Sequence, residues 1–270
     1  MSIHKEIKRI TTHTLQEMKN TGRKITMLTG YDFSMARIID SAGIDVILVG
    51  DSVGTTLLGY DTTIPVTIDD MVHHTSAVRR GQPGCLVVAD LPFGEASLSF
   101  DRLLDSSRRL MQNGADAVKI EGGKDVADDI EKLVATGIPV MGHLGLTPQS
   151  IYKFGTYTVR AKEDKEASQL IEDAKMLEKI GCFAIVLEKI PAALAQRVAQ
   201  SVNIPIIGIG AGNGVDGQVL VLHDMIGMTH EFNPRFLRRY MNLYEDMSKA
   251  ISQYVTDVKK MDFPSDSEQY

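Results

Sequence analysis

Cysteine is scarce. Of 270 residues only Cys85 and Cys182 carry a thiol, which excludes a disulfide framework, and because each opens an apolar run both read as small buried hydrophobes. Long apolar runs are missing too: no stretch approaches the roughly 20 residues of a membrane span, and the opening MSIHKEIKRI has no continuous apolar core. Neither insertion nor secretion is expected, so the reading is a cytoplasmic protein with no membrane partner. Positive charge is not in excess, since 29 Lys and Arg stand against 35 Asp and Glu for a net charge of -6. Nucleic acids and anionic membranes select a basic face, so small molecules are the expected partners and nucleic acid is not. Zinc-ligand pairs are also lacking. His73 and His74 are adjacent on a predicted helix, about 100° apart, and cannot share a ligand.

What is present is a repeated design. The run DVILVGDSVG (45–54) leaves a stretch of β-branched residues at Gly50 and delivers Asp51 and then Ser52. CLVVAD delivers Asp90, ADAVKIE delivers Glu121 and CFAIVLE delivers Glu188, each run following a glycine. A parallel strand buried on both faces reads as such a continuous apolar run, and ligands sit just past its C-terminal end. Taken singly, each acid serves equally well as a helix cap or a strand-end salt bridge. Four together point to a site.

Between these runs lie helical patterns, and strands alternate with helices in single file eight times. That is the sequence form of an α/β fold with one (β/α)8 TIM barrel, here spanning 1–270 as a single domain. A leading helix is expected within 1–22, centred on residues 12–20. The first strand, 25–32, should present Tyr31 and Asp32 at its end, and Thr67 should cap a helix running to about Arg80. The Gly/Thr-rich connection after Asp51 and the segment LTPQSIYKFGTYTVRAK after strand five read as functional or mobile loops, the second shaped over a site. The eighth run is VLVLHDMIG (219–227). A C-terminal amphipathic helix is expected over 233–260, opening at Asn233-Pro234, with a disordered tail over 262–270.

In such a barrel all strand C-termini open on one face, so Asp51, Asp90, Glu121, His143 and Glu188 should converge. Several carboxylates in one pocket repel strongly, and a hard divalent cation resolves the repulsion. Oxygen donors select Mg2+ over Zn2+. Lys119, two residues before Glu121, shares its strand face and suits a substrate carboxylate. A metal-activated 2-oxo acid also needs a base for the adjacent carbon. Glu188, flanked by Leu187 and Ile190, is expected in an apolar setting that raises its pKa and fits it to proton abstraction. The residues alone thus reach a Mg2+-dependent enolising enzyme acting on a small 2-oxo acid.

Taken in order, GDSVG with TIPVT, ADLPFG, VKIEGG, MGHLGLTPQS, IVLE and IPIIGIGAG followed by DGQ resemble the ketopantoate hydroxymethyltransferase family over roughly residues 20–240. The resemblance implies transfer of a hydroxymethyl group from methylene-tetrahydrofolate to 3-methyl-2-oxobutanoate, giving 2-dehydropantoate. It implies Asp51 and Asp90 as Mg2+ ligands and Glu121 as a third, reached directly or through water. It also implies Asp51, Ser52, Asp90, Lys119 and His143 around the 2-oxo acid, Glu188 as the base at C3, and a homodecamer. Departures from the family pattern fall in loops, at Glu95-Ala96 and at Thr156, Arg160 and Ala161. Two rival readings stay open. One is a metal-dependent lyase or mutase of the isocitrate lyase and phosphoenolpyruvate mutase type, although those enzymes use a Lys-Lys-Cys-Gly-His loop that neither cysteine here matches. The other is a non-catalytic ligand-binding barrel.

Overall fold

The computed structural model describes residues 9–81 and 83–270. Eight parallel strands close into a barrel in sequence order: β1 (Ile25–Thr29), β2 (Val46–Val49), β3 (Leu86–Asp90), β4 (Ala117–Glu121), β5 (Val140–Gly145), β6 (Ala184–Glu188), β7 (Ile206–Ile209) and β8 (Gly217–Leu220). Closure is made by β8 against β1, with Ile25 beside Gly217 and Leu28 beside Leu220.

The strand period of two sorts the residues. Ile25 and Met27, Val46 and Leu48, Leu86 and Val88, Ala117, Met141, Ala184 and Val186, Ile207 and Val219 form one buried cluster inside the barrel. Residues of the other parity, such as Ile47, Val87, Val118, Ile185 and Ile206, are completely buried beneath the helix ring. The helices Ile68–Arg80 and Phe100–Gln112 face them with Met71, Val78, Leu103 and Leu110. At about 1.5–3 kcal/mol for each fully buried large apolar side chain, these two layers supply the main favourable term in folding.

The leading helix is Thr12–Asn20, and the expected residues 1–8 of its segment lie outside the described residues. Leu15 and Met18 join the interior cluster, so this helix plugs the barrel at the strand starts. Lys19 fastens it there through Asp216 at 2.9 Å and the carbonyls of Ala199 and Ile204. Thr67 begins the helix Ile68–Arg80 as expected, in a reciprocal capping box with Asp70. Asp32 does not face the barrel mouth. Its side chain accepts the Met35 N–H at 2.8 Å and caps the helix Phe33–Ser41, because the first turn of that helix leaves N–H groups without partners.

Two compact units divide the chain, Met1–Leu220 and Val221–Tyr270. The eighth run is therefore shorter than its apolar pattern: the strand ends at Leu220, and within the second unit Leu222–Met225 turns helical, with the Met225 N–H returning to the Val221 carbonyl. The long C-terminal helix is Leu243–Lys260 and does not begin at Pro234. Arg239 gathers the carbonyls of Thr229, His230 and Phe232, and the Tyr240 N–H goes to Met225, so the groups that would extend the helix backwards are already engaged. Residues 262–270, expected as a disordered tail, are exposed and carry a local turn in which Ser265 and Glu268 bond each other. No helix among the described residues is long and apolar enough to cross a membrane.

Candidate active site

The interior parity that is apolar at the strand starts becomes polar at the strand ends. Leu86 and Val88 are followed in phase by Asp90, Ala117 by Lys119 and Glu121, Met141 by His143, and Ala184 and Val186 by Glu188. Register then decides the partners. Asp90 of β3 lies beside Lys119 of β4, and Glu121 of β4 beside His143 of β5. Lys119 Nζ meets Asp90 Oδ1 at 2.9 Å, with both side chains 4% exposed. His143 Nδ1 lies 3.2 Å from Glu121 Oε1 and also 3.2 Å from Lys119 Nζ. Its Nε2 faces Glu188 Oε2 at 3.4 Å, an electrostatic contact without hydrogen-bond alignment. Five ionisable side chains thus form one continuous path around the barrel mouth.

Asp51 enters by another route. It lies beyond β2, on the turn into the short helix Val53–Thr56, and its backbone N–H donates to Asp90 Oδ2 at 3.1 Å. Asp51 and Asp90 therefore stand side by side at the strand ends. Ser52 on the same turn bonds the hydroxyl of the buried Tyr31 at 2.8 Å. All six predicted residues of the cluster, together with Ser52, come to the strand ends.

Burial, then the Asp90 and Glu121 carboxylates, push the Asp51 carboxyl well above its usual range, against the opposing pull of Lys119 and Gln149. Burial also raises Asp90, although Lys119 draws it down. For Glu121 burial acts the same way but is outweighed by His143, Lys119 and the Gln149 N–H, which hold it below the usual range. Burial opposes the charge of Lys119, yet Asp90, Glu121 and Asp51 outweigh it and raise its pKa. Burial and Lys119 oppose the charge of His143, and Glu121 and Glu188 reverse them, lifting it to about 9. At neutral pH the ring is then an imidazolium that donates Nδ1–H to Glu121.

Glu188 does not sit in the apolar surround expected of it. Its side chain is 20% exposed and faces His143, while Leu187 and Ile190 are buried away from it on the strand and its exit. Gly145, beside Glu188 in the β5–β6 register, has φ 93°, and a Cβ there would press into the Glu188 carbonyl and to within 2.8 Å of Ile190. Only glycine lets the two strand ends come that close. The loop after β5 is tied to the same place, since the Arg160 N–H donates to the carbonyl of Lys189 at 2.9 Å.

Tyr31, expected at the end of the first strand, continues the inward parity of β1 and reaches Ser52. One contributor escaped sequence reasoning. Gln149, in the turn Pro148–Ser150 after β5, donates from Nε2 to Asp51 Oδ2 and to the Leu91 carbonyl, both at 2.8 Å, and from its backbone N–H to Glu121 Oε2 at 3.0 Å. No local pattern marks it.

Among the described residues no three His, Cys, Asp or Glu side chains close around a single point as a ready metal cage. The donor chemistry fits Mg2+ nonetheless, because that ion takes one or two carboxylates and completes its shell with water and substrate oxygens. The charge balance agrees: among the described residues the cations beside Asp51, Asp90, Glu121 and Glu188 are Lys119 and His143, so the four carboxylates when ionised leave two negative charges for a divalent cation. The cysteines stand at the opposite end of the barrel, each just before a strand start, and burial pushes both thiols up to about 12.

The model of the family described as ketopantoate hydroxymethyltransferase matches residues 9–266. The 3-methyl-2-oxobutanoate hydroxymethyltransferase of Flavobacterium johnsoniae is 62% identical over 267 residues, covering 98% of each chain. That of Porphyromonas gingivalis is 55% identical over 266 residues, covering 98% of this chain and 97% of its own. Among solved structures, 2,3-dimethylmalate lyase, a PEP mutase/isocitrate lyase superfamily member, superposes with TM-score 0.60 at 15% identity over 96% of this chain and 91% of its own. Phosphonopyruvate hydrolase in complex with oxalate and Mg2+ gives TM-score 0.64 at 12% identity over 95% of this chain and 92% of its own. At those identities the likeness is one of fold.

Proposed function

The chain belongs to the ketopantoate hydroxymethyltransferase family, and from that premise we propose that it transfers a hydroxymethyl group to 3-methyl-2-oxobutanoate, giving 2-dehydropantoate for pantothenate biosynthesis, with methylene-tetrahydrofolate as donor. The observation that carries the mechanism is the path Asp90–Lys119–His143–Glu188, which sets Lys119 and His143 beside a part-buried carboxylate at one barrel mouth. Asp51 and Asp90 would hold Mg2+ directly. Glu121, beside His143 and the Gln149 N–H, would reach it directly or through water.

Bound there, Mg2+ would supply positive charge where the 2-oxo group becomes an enolate oxygen. Lys119, kept charged by its three acids, supplies a fixed cation for the substrate carboxylate, and Ser52, oriented by Tyr31, a hydroxyl donor. Glu188 removes the C3 proton; the C–H electron pair moves toward C2 and its carbonyl oxygen, leaving C3 nucleophilic toward the one-carbon unit.

The helix Leu243–Lys260 buries none of its residues and exposes Tyr244, Met247, Ile251, Tyr254, Val255 and Val258. Such an apolar face supports assembly into a homo-oligomer.

The test is deuterium exchange at C3 of 3-methyl-2-oxobutanoate, followed by NMR in deuterium oxide with Mg2+ and no folate. The enzyme should exchange C3, and Glu188→Gln should lose about 10²–10⁴-fold in exchange while binding the 2-oxo acid within a few-fold. Joint loss of binding and exchange would show that Glu188 is not the base. A lyase or mutase reading would require a thiol at the mouth, and both cysteines lie at the other end.

A further inference from the structure

Gln149 joins three strand ends, and its chemistry there is directional. Both Nε2 protons are spent, one on Asp51 Oδ2 and one on the Leu91 carbonyl, while the backbone N–H takes Glu121 Oε2. Exchanging the amide oxygen and nitrogen would set an acceptor against a carboxylate and a carbonyl with no proton between them, so the orientation is determined by its partners. The consequence is a sorting of carboxylate oxygens. Asp90 accepts the Asp51 N–H on Oδ2, and its Oδ1 lies 2.9 Å from Lys119 Nζ as an ion pair without hydrogen-bond alignment. Glu121 spends Oε2 on Gln149 and Oε1 on His143. Asp51 gives Oδ2 to Gln149, and its Oδ1 receives no hydrogen bond among the described residues.

We propose that Gln149 is a positioning residue for the metal: by occupying Asp51 Oδ2 it locks the carboxylate rotamer and presents Oδ1 to the divalent cation, while its backbone N–H keeps Glu121 paired with His143. This rests on the reading of Asp51 and Asp90 as the metal pair. Groups that orient a metal-binding side chain typically change metal affinity 10–100-fold when removed. The aliphatic part of Gln149 has no comparable task, since the residue is only half-buried.

The experiment is titration of the full-length protein with Mn2+ alone, read by electron paramagnetic resonance of the free ion, with Mg2+ as competitor. Gln149→Met keeps the length and the backbone N–H and removes both side-chain donations. It should raise the Mn2+ Kd at least tenfold, and saturating Mg2+ should restore most of the C3 exchange, which a merely damaged fold would not allow. Gln149→Asn keeps an amide one methylene too short to span Asp51 and Leu91, and should weaken Mn2+ in the same way if the Met variant does not fold. A Kd within twofold of the parent in a folded variant overturns the role of Gln149. Equal Mn2+ binding by the parent and Asp51→Asn instead overturns the metal pair itself, and the inference with it.

Discussion

Replacing Lys119 with Met tests the electrostatic logic of the whole mouth without reference to any ligand. The side chain is of similar length, so the change removes a charge more than a volume. Lys119 and Asp90 are each 4% exposed and 2.9 Å apart, and Asp51 and Glu121 lean on the same ammonium. Removing one partner of a buried ion pair costs about 3–5 kcal/mol, because the survivor is left charged without water. At about 2–4 °C per kcal/mol for a domain approaching this size, the melting temperature in the presence of EDTA should fall by roughly 6–20 °C at pH 8. The loss should be pH-dependent in a definite direction. Lys119, with its pKa raised, is charged throughout the range from pH 5 to 8, and it holds Asp90 down. Without it Asp90 protonates more readily, so the deficit of Lys119→Met should shrink on acidification to pH 5. Adding Asp90→Asn should recover most of the loss, since a pair removed together is often close to neutral. Circular-dichroism melts of the parent, Lys119→Met, Asp90→Asn and the double variant decide it. A deficit below about 1 kcal/mol at pH 8, or a double variant no more stable than Lys119→Met, would refute the argument.

Two further outcomes follow from the same geometry. His143 is raised from 6.5 to about 9, so its contribution is fully present below pH 6.5 and lost as pH rises through about 9. The stability gap between the parent and His143→Asn should therefore narrow by up to roughly 3 kcal/mol across that window, at 1.36 kcal/mol per pKa unit, and a pH-independent gap in denaturant melts would contradict the imidazolium. Gly145→Ala drives a methyl group at the Glu188 carbonyl and Ile190; it should cost about 1–3 kcal/mol and reduce C3 exchange at least tenfold, whereas unchanged exchange would mean that the β5–β6 approach does not position the base.

The strand-length apolar runs, the glycines before them and the acids closing them were legible because each is a local signal of one strand and its exit. Asp90, Lys119, Glu121, His143 and Glu188 could be named from that pattern alone, and all of them meet. Asp32, expected at the end of the first strand, caps the helix Phe33–Ser41 and does not join the cluster, since a carboxylate after a strand serves equally as the cap of the next helix and only the backbone that follows tells the two apart. The eighth run and the C-terminal helix were misplaced for a similar reason: apolar periodicity continues past Leu220 and begins before Leu243, but the hydrogen bonds of those segments are taken elsewhere.

By itself, then, the sequence determined that eight buried parallel strands would deliver several carboxylates, a lysine and a histidine to one rim, since alternation and burial are written residue by residue. Which acid faces which cation was decided by the tertiary structure. Inter-strand register sets Asp90 against Lys119 and Glu121 against His143, and a turn 98 residues away brings Gln149 to Asp51. Contacts of that range depend on barrel closure, which no window of sequence contains.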